Sequence, residues 1–241
     1  MLIPLHRGLI LAILLFSPTR GIRPQISNTA MPAALTSVQI VGEMQRHNLA
    51  RTEALKSLKS IRHYQVEYRG FSKVIEARME VEYNYDAKLG KRFRIVTESG
   101  SRMLFDRVLK RALESEMEAQ QEKEVSALTS ANYKFHFEGI ESLEGRPAYV
   151  LNVEPLVASK FMYKGKIWVD AADFALEKIE AEPAKSPSFW ISRTRIKQIF
   201  AKTGDFWLPE RNQSETKVRI GGTAVLTIDY GTYQIGSNAM H

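Results

Sequence analysis

The stretch Tyr163–Pro183, YKGKIWVDAADFALEKIEAEP, decides how this chain folds. Ile167 and Val169 fall on one face of a period-two strand, and Phe174 and Leu176 on the next. Between them lies Asp170-Ala171-Ala172-Asp173, a short step rich in Asp that suits a turn. The segment therefore reads as a β-hairpin. The competing reading makes Asp170 and Asp173 a carboxylate pair for a metal or a proton, but the segment supplies no third ligand.

The same pattern recurs on both sides of this hairpin. Tyr64, Val66 and Tyr68 alternate with Gln65, Glu67 and Arg69. Ile75, Ala77, Met79, Val81, Tyr83 and Tyr85 alternate with Glu76, Arg78, Glu80, Glu82 and Asn84, which predicts a strand with one apolar and one charged face. Phe93 and Ile95 follow across a turn at Gly90. Tyr133, Phe135 and Phe137 alternate with polar residues, and Tyr149, Leu151 and Val153 return after a turn at Glu144-Gly145. A further strand carries Arg193, Arg195 and Lys197 on one face, and two or three more close the chain, with Ile220-Gly221-Gly222 between two of them.

Two regions depart from period two. From Ser37, Ile40, Val41 and Met44 make a helical stripe; Asn48 ends that helix and caps another, which Leu55, Leu58 and Ile61 continue. Residues 101–118 form a third helix, with Ser101 as N-cap and Leu104 and Val108 on its apolar stripe. The class is α+β: about ten antiparallel strands with helices over one face.

The bulk composition narrows the function. The 241 residues are 44% hydrophobic, enough for one sizeable domain. The charge of +7 is spread along the chain and interleaved with Glu, with no basic stripe, so nucleic acid is not an expected partner. Absence of cysteine excludes thiol catalysis, thiolate metal sites, disulfides and a lipidated N-terminal Cys. None of the five histidines falls in a metal-binding spacing, and no nucleophile-elbow, P-loop or dinucleotide motif occurs, so neither an enzyme nor a cofactor is expected. Residues 1–21 pair Arg7 with an apolar run from Leu9 to Phe16, the pattern of a secretory signal; residues 22–36 read as a linker and 37–241 as one domain.

The apolar and aromatic face of such a sheet is broader than two helices of roughly 10 Å diameter cover. The uncovered part must close on itself, dimerise or hold an apolar ligand; the last fits a partly open barrel in which Met79 and the Phe and Tyr rows line a cavity.

The order of these segments resembles the LolA-like superfamily, which includes outer-membrane lipoprotein-sorting proteins and RseB-type stress sensors. The resemblance is carried by Gly145-Arg146-Pro147-Ala148-Tyr149-Val150-Leu151, by Gly165-Lys166-Ile167-Trp168-Val169-Asp170 with Asp173 following, and by Gly204 to Glu210; it extends over about residues 38–235. It implies a half-open antiparallel β-barrel with a helical lid, residence in the periplasm, and a cavity for the acyl chains of lipoproteins or another lipid; those chains would bury against Met79, Val81, Tyr83, Phe93, Ile95, Phe135, Phe137 and Leu151, with Leu104 and Val108 facing the cavity from the lid helix. A carrier or chaperone is the first function it implies. The alternative is a sensor that detects lipid and signals to an inner- or outer-membrane protein partner. An enzyme using Asp170 and Asp173 ranks third.

Overall fold

The computed structural model describes residues 35–70, 73–121, 127–159, 161–186, 191–219 and 221–238. The leader at 1–21 and all of the linker except Leu35 and Thr36 lie outside the described residues.

The first element is α1 (Ser37–Ala54), fastened by a capping box in which Gln39 N–H donates to Thr36 Oγ1 at 3.3 Å and Thr36 N–H donates to Gln39 Oε1 at 2.9 Å. Asn48 does not interrupt it. The expected second helix is absent: the chain passes from Ala54 directly into β1 (Leu55–Arg69). Leu55, Leu58 and Ile61 fit helical spacing, but period two wins because β1 pairs with neighbours on both sides. Leu58, Ser60, Arg62, Tyr64 and Val66 are all buried, while Ile61 points to the polar face and is 41% exposed.

Ten further strands follow: β2 (Val74–Asp86), β3 (Gly90–Gly100), β4 (Tyr133–Leu143), β5 (Arg146–Pro155), β6 (Tyr163–Asp170), β7 (Leu176–Pro183), β8 (Ile191–Thr203), β9 (Phe206–Val218), β10 (Thr223–Tyr230) and β11 (Gln234–Ser237). Among the described residues all eleven strands lie in one antiparallel sheet, ordered β3-β2-β1-β10-β9-β8-β7-β6-β5-β4, with β11 beside β1. Every neighbouring pair is consecutive in sequence except β1 with β10 and β1 with β11, which tie the first strand to late ones. The terminal strands β3 and β4 do not pair, so the sheet is an open barrel. A register shift accompanies each edge pair, at Glu80/Val81 against β3 and at Phe137/Gly139 in β4; such bulges blunt an exposed edge.

Turn chemistry explains the hairpins. Glu144 and Gly145 both have positive φ (48° and 83°), as a two-residue hairpin turn requires. At Gly165 the backbones of β6 and β7 touch: a Cβ there would sit 2.5 Å from Glu180 O, so the strand crosses at a point only glycine fits.

The segment after β3 is α2 (Arg102–Leu104), a π-helical turn (Phe105–Leu109) and α3 (Lys110–Gln121). Ser101 occupies the cap position but its side chain makes no capping bond. Among the described residues no helix is long and apolar enough to cross a membrane.

Both α1 and the α2–α3 segment pack on the same face of the sheet. Ile40, Val41 and Met44 of α1 close a cluster with Tyr149, Leu151, Val153, Ile167, Val169 and Ile179. Leu104, Phe105, Leu109 and Leu113 close another with Tyr64, Val66, Met79, Val81 and Ile228. On the same face between them, β8 and β9 present polar side chains, where Asn212 Nδ2 donates to Gln198 Oε1 at 3.3 Å and the Thr194 and Thr216 hydroxyls bond at 3.1 Å.

Candidate functional site

The apolar face is divided. Of the ten residues expected to line one cavity, Met79, Val81, Leu104, Val108 and Phe93 meet in the cluster under α2–α3, and Phe93 also reaches Tyr83 in a neighbouring cluster with Leu58 and Phe206. Leu151 and Phe135 belong to the cluster under α1, beyond the polar stripe. Ile95 and Phe137, near the two open edges, are 36% and 41% exposed.

The α2–α3 end contains something the apolar pattern does not announce. Arg62 follows Leu58 and Ser60 on the apolar face of β1, and its side chain is 5% exposed. Its guanidinium lies over the Tyr83 ring at 3.7 Å and near the rings of Tyr230 at 4.8 Å and Phe93 at 5.5 Å. Its charge is met by Glu116 of α3, with Arg62 Nη1 to Glu116 Oε1 at 2.5 Å, while Tyr64 Oη donates to Glu116 Oε2 at 3.2 Å. Burial works against the Arg62 charge, but Glu116 outweighs it and holds the guanidinium above its ordinary pKa. Burial, and then Glu116, push the Tyr64 hydroxyl up; burial takes Tyr83 to about 12. Two polar atoms here stay unmatched: Arg62 Nε and Ser60 Oγ are buried with no hydrogen-bond partner among the described residues. Sequence reasoning passed over both. Their signal is the alternation itself, since extending Tyr64, Val66 and Tyr68 backward by twos puts Arg62 and Ser60 on the apolar side.

The Asp-rich step is a turn. Asp170 Oδ1 accepts from Ala172 N–H at 3.0 Å and Asp173 N–H at 2.7 Å. Phe174 belongs to this turn rather than to the following strand: its φ is +47°, and its ring stacks between His47 at 5.6 Å and Tyr149 at 6.0 Å. Asp173 Oδ2 accepts from Trp207 Nε1 at 2.8 Å and pairs with Lys202 at 2.7 Å. Burial pushes the Asp173 carboxyl up, but those two partners more than offset it and hold it below the usual range. Glu177 goes the other way: burial raises it, opposed only in part by Arg146, which donates to it at 2.6 Å. Among the described residues no three His, Asp or Glu side chains gather as a metal site.

On the polar face a groove of about 670 Å³ crosses β5 to β10. Arg195 and Lys197 border it, with Arg193 next in their row, but register sets Arg195 opposite Glu215 and Lys197 opposite Glu180, and Arg193 pairs with Glu182. Signs alternate across the strands, which makes this a charge-balanced solvated face rather than a basic patch.

No protein-family model and no curated protein matches the chain. Among solved structures it is similar to a domain described as an outer membrane lipoprotein-sorting protein from Vibrio parahaemolyticus, at 12% identity over 84% of this chain and 94% of that one, TM-score 0.40. It is also similar to a DUF1329 family protein from Desulfovibrio piger (11% identity, 85% and 95% covered, TM-score 0.41) and a LolA superfamily protein from Nitrosomonas europaea (12%, 86% and 96%, TM-score 0.33). At those identities and scores none of the three carries weight; the architecture stands on strand order and register.

Proposed function

We propose that this protein is an exported carrier or chaperone that shelters acyl chains, of a lipoprotein or another lipid, between the α2–α3 segment and strands β1, β2 and β10. One observation carries the reading. The helical cover over Met79 and Val81 is interrupted by a π-helical turn at Phe105–Leu109, where its apolar residues enter the cluster. Such turns are local weak points that recur at functional sites. A chain entering beside the exposed Ile95 would pass Phe93 and bury against Met79, Val81 and Tyr83, with Leu104 and Val108 moving as its lid. Each buried methylene contributes about 0.8 kcal/mol, so one acyl chain binds usefully without a polar anchor. The leader at residues 1–21 would deliver the protein to a periplasm.

Native mass spectrometry of the purified protein, followed by organic extraction, tests this. Acyl species should co-purify with the native chain and with Phe135→Glu, and be lost from Met79→Glu or the milder Val108→Glu, each with native circular dichroism. A clean mass with no uptake of added lipid would overturn the carrier and turn attention to a protein partner at the same face.

A further inference from the structure

The buried ion pair on the apolar face is unequal in a way that points to a ligand. Arg62 is fixed: its side chain is 5% exposed and stacked on Tyr83 at 3.7 Å, so it stays where it is with or without its partner. Glu116 comes from the covering helix rather than the sheet, and is 26% exposed. If α3 lifts, the carboxylate passes into water while the cation is left behind in an aromatic setting.

The pair is also incomplete. A guanidinium offers a planar fork of five N–H donors. Glu116 engages Nη1, Nε meets no acceptor, and the Ser60 hydroxyl one pleat along β1 meets none either. Burying charge on an apolar face is costly, and an apolar pair of similar volume usually serves stability as well or better. The fold does not ask for this pair; a ligand with an oxyanion would.

We propose that Arg62 and Ser60 form a receptor for the oxyanion head of an amphiphile, a carboxylate or a phosphate, and that Glu116 fills it in the ligand-free chain as a built-in competitor. This rests on the carrier reading and names its ligand class: a single anionic head at Arg62, with the apolar tail along Met79, Val81 and Leu104. Head and helix carboxylate exclude each other, so binding releases α3 from the sheet at the residue that fastens it.

The test is calorimetric titration of the full chain with dodecanoate, dodecyl phosphate, dodecan-1-ol and inorganic phosphate. The two anionic amphiphiles should bind about tenfold or more tighter than the alcohol. Glu116→Gln should tighten them by a further factor of about ten, and Arg62→Met should erase the preference for anion over alcohol. If all three amphiphiles bind the native chain equally, the receptor is overturned while the acyl carrier stands. If none binds, both fall. Inorganic phosphate binding as tightly as dodecyl phosphate would make this a free-anion site and overturn the amphiphile. The native chain alone decides between these, so a variant that fails to fold does not leave the question open.

Discussion

The helix over β5–β7 and the helical segment over β1, β2 and β10 cover the same sheet by different means. Helix α1 is regular, carries a complete capping box, and runs without a loop into β1, where Leu55 N–H still donates to Arg51 O. Its cluster is closed by neutral packing, and the charged groups nearby, Asp170, Asp173 and Glu177, are gathered at the β6–β7 turn beside it. The α2–α3 segment has an unused cap, a π-helical turn and a buried ion pair in place of an apolar contact. The two covers differ in cap and backbone geometry rather than in hydrophobicity, and on the proposed carrier reading it is the α2–α3 segment that moves.

Equal truncations should expose that difference most strongly. Leu151 and Leu109 are both fully buried, one under each cover. Leu151→Ala, in a cluster that cannot collapse, should cost about 4 kcal/mol, and Leu109→Ala about 2 kcal/mol because the π-turn can settle into the space. Urea unfolding measures both; equal losses would mean that the two covers are equally rigid. The caps come next. Thr36→Ala should cost about 1 kcal/mol and Ser101→Ala about 0.3 kcal/mol or less, since only Thr36 makes the bond.

The smallest effect concerns pH and the α1 end alone. Glu177 is raised by burial, so its contribution to stability is present below the unfolded carboxylate pKa of about 4.3 and is lost as pH rises through the higher folded value. Asp173, held low, contributes above its unfolded pKa of about 3.9 and loses that as pH falls through the folded value. Glu177→Gln should therefore remove the decline in melting temperature on raising the pH above about 4.3 and leave the acid limb unchanged. An unaltered profile would mean that Glu177 does not titrate in this range.

Much of this was legible from alternation. The strand face of β2, the turn at Glu144-Gly145 and the hairpin at Asp170–Asp173 were each predictable, because period two and turn residues are local properties. The start of β1 was not. Leu55, Leu58 and Ile61 satisfy a helix as well as three positions of a strand, and what decides between them is pairing with β2 on one side and with the distant β11 on the other. The site was lost at the same place. With residues 55–61 read as helix, the alternation of Tyr64, Val66 and Tyr68 stops short of Arg62 and Ser60, and nothing in β1 names Glu116 as the partner. Nor does the sequence reveal the polar stripe of Gln198, Asn212, Thr194 and Thr216 that parts the two clusters, because only register aligns those residues.

The pairing of β1 with β10 has a kinetic consequence. Strands β1 to β3 can zip as hairpins soon after synthesis, and so can β4 to β9, but the two halves join only when Thr223–Tyr230 arrives. Until then both halves carry a bare hydrogen-bonding edge in addition to β3 and β4, and contacts so distant in sequence form slowly. Strand β10 is thus the one that makes one sheet out of two, and a chain lacking residues 223–230 would be the form most exposed to aggregation and proteolysis.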